Sequence, residues 1–312
     1  MPKDDFDWTI QDPVISWLMD SSEPSMRYLA SRDLLEPRPS QRRLENIRLL
    51  IPRKGWAAKL LAGQRENTWW VTKKTCYAPK FRSTIWRLQV LADLGLSRRV
   101  ERVANAAEFF LDLHLAKDGG YSGAVKPKRG HLCTTGNMTR SLIRLGYQKD
   151  ERVLSAVDWL VEEQLADGGW DCFGRQGGTL DGWEAMSAFA EIPRSQRSRK
   201  VRLAIERGAE FFLKRRLLHE GKRFARWYWL RYPCHYFYDV LVGLDFMTAL
   251  GYGRDHRLNE ALRHLLSKRR PDGRWPLDHT NGNLVIEAPR KPSKIATFLS
   301  LRVIKRSLKS SS

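Results

Sequence analysis

The sequence predicts an all-α protein whose helical hairpins close into a ring, an (α/α)6 toroid with six inner and about six outer helices. Three observations predict it. A helix followed by a Gly-rich turn and an aromatic residue recurs at one spacing. A second, more evenly apolar kind of helix alternates with it. Strand signals, short alternating runs of β-branched and aromatic residues, are almost absent.

The repeated segment reads most clearly in "LSAVDWLVEEQLADGGWDCFG" (Leu154–Gly174). An amphipathic helix ends near Gln164, turns on Asp167-Gly168-Gly169 and places Trp170 on the turn. "ANAAEFFLDLHLAKDGGYSG" (Ala104–Gly123) repeats it with Tyr121, 49 residues before Trp170. "NEALRHLLSKRRPDGRWPLD" repeats it with Trp275, 105 residues after Trp170, about twice that spacing. The intervening copy is "RGAEFFLKRRLLHEGKRFARW", whose Ala209-Glu210-Phe211-Phe212-Leu213 echoes Ala107–Leu111 after 102 residues. A first copy, "WAAKLLAGQRENTWW", sets Trp70 51 residues before Tyr121. Asp-Gly-Gly breaks a helix and admits left-handed backbone angles, so each turn starts a new unit. The aromatic residue then packs between units, and the glutamine reaches the neighbouring turn. Gln64, Trp70, Tyr121, Gln164, Trp170 and Trp275 are accordingly expected to be structural staples.

The alternating helices are "FRSTIWRLQVLADLGL", "TTGNMTRSLIRLGY", "TLDGWEAMSAFAEIP", "YFYDVLVGLDFMTALGY" and "SKIATFLSLRVIKRSL". They are apolar around much of their circumference, as buried helices are, and several stop at a Leu-Gly pair. An earlier one, "SSEPSMRYLASRDLLEP", offers Ser22 as N-cap and Pro24 in its first turn. Six inner helices make one wall and the amphipathic set makes the other. "DPVISWLMD" is expected to complete the outer ring. The domain boundaries that follow are an N-terminal tail over 1–12, one toroid over 13–308 and a C-terminal tail over 309–312.

With 42% hydrophobic and 11% aromatic residues among 312, the chain has the composition of a folded globule. No apolar run is long enough to predict a transmembrane span. The acidic start Met1–Asp7 lacks the pattern of a secretory signal, so a cytoplasmic address is expected. The four cysteines, Cys76, Cys133, Cys172 and Cys234, form no C-x-x-C pair and read as free thiols. Lys and Arg number 55 against 35 Asp and Glu, a net charge of +20. That excess suits an anionic partner, or simply a solvated surface. The basic residues are scattered and no nucleic-acid-binding motif accompanies them, which argues against nucleic acid.

Gln164 with Asp167-Gly168-Gly169-Trp170 resembles the QW repeat of squalene–hopene cyclases and of the related protein prenyltransferase β-subunits. The likeness spans the five copies, roughly residues 56–278, and implies the toroid together with a terpenoid-cyclase-like or prenyltransferase-like activity. An isoprenoid or other apolar small molecule would sit in a central aromatic cavity. The Asp-x-Asp-Asp acid of squalene cyclases is absent, since Asp4-Asp5-Phe6-Asp7 has the wrong order. The Cys-Gly-Glu-Gln run of complement-like thioester domains is absent too. Prenyltransferase β-subunits hold zinc with an Asp and a Cys two residues later at one inner-helix start, and a His at the next. Asp181 and His235 stand at such positions here, with Trp183 where the thiolate belongs.

The inner-helix starts are where chemistry is expected, because helix N-termini present free N–H donors to anions such as diphosphate. Asp181, Glu184, His235 and Asp239 are the candidate catalytic groups. A carboxyl among aromatic rings can hold its proton and donate it. The plainer alternative for Asp181 and Glu184 is a capping box. Arg82, Asn137, Trp183, Arg231, Tyr236 and Tyr238 are the candidate substrate contacts. Zinc, if held, would use Asp181 and His235 with thiolates from Cys133, Cys172 or Cys234, a mixture that zinc accepts. The plainer alternative is that these cysteines are small buried residues. The run "FARWYWLRYPCHYFYD" supplies aromatics for a cavity wall or for core packing. The competing overall reading is a non-catalytic toroid that binds a protein or polyanion through a basic face.

Overall fold

The computed structural model describes residues 6, 8–174, 177–218 and 224–308. The 309–312 tail and residues 1–5 and 7 of the 1–12 segment lie outside them. Among the described residues the regular structure is helical, with isolated β-bridges and no strand.

Six helices have the positions expected of an inner wall: α2 (Pro24–Asp33), α5 (Thr84–Asp93), α7 (Leu132–Leu142), α9 (Trp183–Glu191), α11 (Val240–Ala249) and α13 (Lys294–Leu308). The remainder are α1 (Pro13–Leu18), α3 (Gln41–Arg48), α4 (Gly55–Ala62), α6 (Glu101–His114), α8 (Glu151–Glu162), α10 (Arg199–Lys214) and α12 (Asn259–Ser267). Within the first set α5 packs on α7, α7 on α9, α9 on α11, α11 on α13, and α13 on α2. Tyr28 of α2 lies against Gly95 at the end of α5, which joins the first and second members. Helices α7 and α9 approach closely at Gly136, which has no side chain. A Cβ there would meet the backbone of Glu184 at 2.7 Å.

The repeated turns share a set of hydrogen bonds, with Tyr121 instead sending its hydroxyl to the Arg152 carbonyl on the next outer helix; residues 219–223 of the fourth copy lie outside the described residues. The indole N–H groups of Trp70, Trp170 and Trp275 donate to the carbonyls of Leu60, Leu160 and Leu265, at 2.9, 2.7 and 2.8 Å. Each therefore ties back to its own outer helix ten residues earlier. The backbone N–H of Trp70, Tyr121 and Trp275 donates to the hydroxyls of Thr84, Thr135 and Thr297 on the following inner helix. Gln64 donates to the carbonyl of Arg102 on α6, and Gln164 to that of Ala204 on α10. Turn, own helix and next outer helix are thus locked together by buried hydrogen bonds. The positive φ is real at Gly119, Gly168 and Gly273, at +90°, +88° and +79°. Gly95, Gly146 and Gly251 end their helices with φ from +90° to +102°. These are the left-handed stops the Leu-Gly pairs predict.

Three local expectations are corrected. The N-cap position of α2 is Glu23, not Ser22, and its carboxylate instead accepts the N–H of Trp56 at the start of α4. Asp181 and Glu184 form no capping box: Thr179 accepts the N–H of Asp181, and Glu184 turns toward α7. The inner helices are also less uniformly apolar than their sequences suggest, because each carries charge near its C-terminal end. Arg144 bonds Asp93 and Glu191, Arg302 bonds Asp33 and Asp245, and Arg306 bonds Asp245. Burial alone would raise Asp245 and Glu191; the facing arginines outweigh it and hold both below the usual carboxylate range. Guanidinium groups also suit the partial negative charge of helix C-termini. This network surrounds a cavity of about 170 Å3 with lining residues from all six inner helices. No helix among the described residues is long and apolar enough to cross a membrane.

Candidate functional site

The opposite, N-terminal ends of the inner helices gather the groups that could do chemistry. Glu184, in the first turn of α9, is buried, and its Oε1 accepts a 2.8 Å hydrogen bond from the Asn137 side chain on α7. Burial first, then the charges at Cys133 and Asp181, push its carboxyl well above the usual range. Its Oε2 lies 4.0 Å from the Cys172 sulfur. Cys133 is the second residue of α7, and its carbonyl takes a further hydrogen bond from Asn137. Its sulfur lies 3.1 Å from His131 Nδ1. A hydrogen bond from Cys172, then one from His131, holds the Cys133 thiol below its usual range against the opposing effect of burial, and the same contacts raise Cys172 and His131. The ligand atoms of His131, Cys133 and Cys172 all lie within 4.8 Å of one another.

Beside this polar cluster stands an aromatic wall. The Tyr77 and Tyr236 hydroxyls are hydrogen-bonded to each other, and the Lys80 ammonium lies over both rings, 5.7 and 5.5 Å from their centroids. Phe81 and Trp86 both pack edge-on against Tyr236. Phe237 stacks on Phe81 and is partly exposed, as is Phe173 beside Cys172. Tyr236 is close enough to Cys133 and Glu184 for their charges to raise its hydroxyl, although burial is the larger cause. The starts of α5, α7, α9 and α11 therefore face one mouth. Those of α2 and α13 meet around Lys294, whose charge reaches both Glu23 and Glu287.

The structure brings together Cys133, Cys172, Glu184 and Asn137, with Tyr236 on the wall and Asp181 near enough to raise Glu184 and Cys172. It places other candidates elsewhere. Asp239 caps α11: Oδ1 accepts from Val242 N–H and Oδ2 from Arg231 N–H. Tyr238 donates to the Leu217 carbonyl. Arg231 is buried with its guanidinium over the Phe237 ring, and Arg82 is solvent-exposed. Trp183 is fully buried, its indole N–H without a partner. His235 Nδ1 bonds Gln89 Oε1 at 3.1 Å, and its ring packs between Phe81 and Trp86. Desolvation lowers its pKa to about 3, so it is neutral.

The zinc positions implied by the family likeness therefore do not assemble. One is a buried indole, and His235 is engaged with Gln89 rather than with a thiolate. Donors suited to zinc converge instead at His131, Cys133 and Cys172, and sequence reasoning missed His131. The signal was present, since a histidine two residues before a cysteine at a helix start offers two ligands on one turn.

Among the described residues, two cavities lie between the inner helices. Next to the charged 170 Å3 cavity lies a smaller one of about 60 Å3, lined by Gln89, Tyr232, Cys234 and His235 among others. Ligand pockets usually span about 300–1,000 Å3.

No protein-family model and no curated protein matches the chain. Among solved structures it is similar to a protein from Actinoplanes, with 16% identity and a TM-score of 0.47, over 92% of this chain and 90% of that one. It is also similar to the type II terpene cyclase MstE from Scytonema in its apo form, with 15% identity and a TM-score of 0.47, over 95% and 87% of the two chains. An MstE variant in complex with its substrate, geranylgeranyl dihydroxybenzoate, gives 14% identity and a TM-score of 0.46, over 95% and 97%. Similarity at this level supports no functional statement.

Proposed function

We propose that this chain is a closed α/α toroid and an isoprenoid-handling enzyme of terpenoid-cyclase or prenyltransferase type, working at the mouth formed by the inner-helix N-termini. One observation carries the reading: a buried carboxyl, Glu184, is held by Asn137 directly beside a wall of Tyr77, Phe81, Trp86, Tyr236 and Phe237. Ring faces receive an apolar chain and stabilise cationic character that develops on it. The enclosed carboxyl handles the proton. The small axial cavities confine the substrate's reacting end to the mouth, with its chain laid along the aromatic wall. Helix N-termini and Lys80 supply the positive field that an anionic head group needs.

The test is calorimetric titration of the full chain with a non-hydrolysable polyprenyl diphosphate. Saturable binding, weakened roughly tenfold by Tyr236→Ala in accord with the loss of one aromatic contact, supports the proposal. No heat of binding at any accessible concentration removes it.

One observation favours a second reading. Arg194, Arg197, Arg202, Arg254 and Arg306 line an open groove of about 530 Å3, with Glu206 as the acidic residue among its lining. A polyanion held there would leave as salt rises and would be indifferent to Glu184→Gln.

A further inference from the structure

We propose that His131, Cys133 and Cys172 form a zinc-type metal site at the mouth of the inner helices, on a ligand set different from the one the family likeness implies. The site does not depend on the identity of the substrate, and it stands whether or not an isoprenoid binds.

Its basis is convergence. One imidazole nitrogen and two sulfurs come from three chain positions, and all lie within 4.8 Å of one another. In a tetrahedral zinc site with bonds of about 2.0–2.3 Å, neighbouring ligand atoms stand about 3.5–3.8 Å apart. The donors therefore need to move by only about an ångström. Fixed elements hold them in place. His131 N–H donates to the Tyr121 carbonyl, and its own carbonyl accepts from Thr135, so it is anchored to a repeat turn. Cys133 rides on α7. Cys172 follows Trp170, whose backbone pairs with Thr179 just ahead of α9. The close α7–α9 approach at Gly136 sets the separation between the two sulfurs' supports.

A disulfide would use only two of these groups and leave the imidazole unexplained. Two thiols and a histidine are the softer, nitrogen- and sulfur-rich donor set that selects zinc over magnesium or calcium. Three protein ligands also leave the fourth position of a tetrahedral metal open, the arrangement of catalytic zinc rather than of closed structural sites. Glu184 and Asn137 lie just beyond the sulfurs, where partners orient ligands and tune a metal.

The experiment uses the full chain, purified under reducing conditions, stripped with a chelator and titrated with Co(II) as the optical probe. The expected result is a thiolate-to-cobalt charge-transfer band that saturates at one equivalent per chain and is displaced by zinc. Cys133→Ser and Cys172→Ser should abolish the band. His131→Ala should weaken binding roughly tenfold or more, at least the loss that removing an outer partner causes. Cys234→Ser and His235→Gln should leave the band intact, and circular dichroism of each variant establishes that it is folded. Absence of the band in folded, reduced wild-type protein overturns the proposal. So does a band that survives in the Cys133→Ser/Cys172→Ser double variant, or one lost on His235→Gln. Recovery of the native chain with a Cys133–Cys172 disulfide and no metal would also overturn it.

Discussion

Two buried acids separate structural from chemical roles at the scale of single residues. Asp239 has both oxygens committed to backbone N–H groups, so Asp239→Ala should cost about 1–2 kcal/mol as a lost cap, while Asp239→Asn, which keeps one acceptor and turns an NH2 toward the other N–H, should recover only part of that loss. Equilibrium urea unfolding measures the difference. A large loss of ligand binding in a fully stable Asp239→Asn variant would contradict this capping role. Glu23 gives a pH prediction. Burial raises its carboxyl from 4.5 to about 7 in the folded chain, against the pull of the Trp56 N–H and Lys294. The folded state therefore holds its proton more tightly than the unfolded state. Its contribution is fully present below about pH 4.5 and is lost as pH rises through about 7, on the order of 2 kcal/mol. Glu23→Gln should flatten the stability–pH curve between those values. An unchanged slope would mean that Glu23 is ionised in the fold.

Among the elements, the repeated turn was the most legible feature, because its residues act locally. Gly-Gly permits a backbone angle, the indole reaches ten residues back, and the glutamine reaches the next helix. Each of those is written in a short window of sequence. Trp170→Ala should destabilise by about 3–5 kcal/mol through cavity formation. Trp170→Phe should cost less, having lost only part of the ring volume and the bond to Leu160. Thermal melts of the pair check the order, and equal costs would deny the staple role. Gly168→Ala must place a Cβ 2.5 Å from the Arg207 carbonyl at a φ of +88°, and should be destabilising despite its small size. What was not legible depended on which elements meet. Asp93, Glu191 and Asp245 lie in largely apolar helices, and nothing nearby in sequence reveals Arg144, Arg302 or Arg306 as partners. Likewise Asp181 and His235 matched a motif by position, yet tertiary packing turned His235 toward Gln89 and brought His131 to the thiols.

Taken as a whole, the chain has two unlike ends. The C-terminal ends of the inner helices are tied by ion pairs, and the N-terminal ends present thiols, an imidazole, a carboxyl and aromatic rings. The ion pairs cross-link the inner helices at the cost of desolvating their charges. Asp245→Asn, which leaves Arg302 and Arg306 short of a partner, should destabilise by about 2–4 kcal/mol. Ligand and metal binding at the far mouth should be unchanged in this variant while the chain remains folded. The proposed closed toroid requires α13 to pack against α2, which brings the starts of these two helices round to the side where those of α5, α7, α9 and α11 gather. Small-angle X-ray scattering of the full chain tests this most directly. Closure predicts a compact particle with a radius of gyration of about 20 Å for a chain of this length. An elongated profile with a distinctly larger radius would show an open superhelix and contradict the shared mouth.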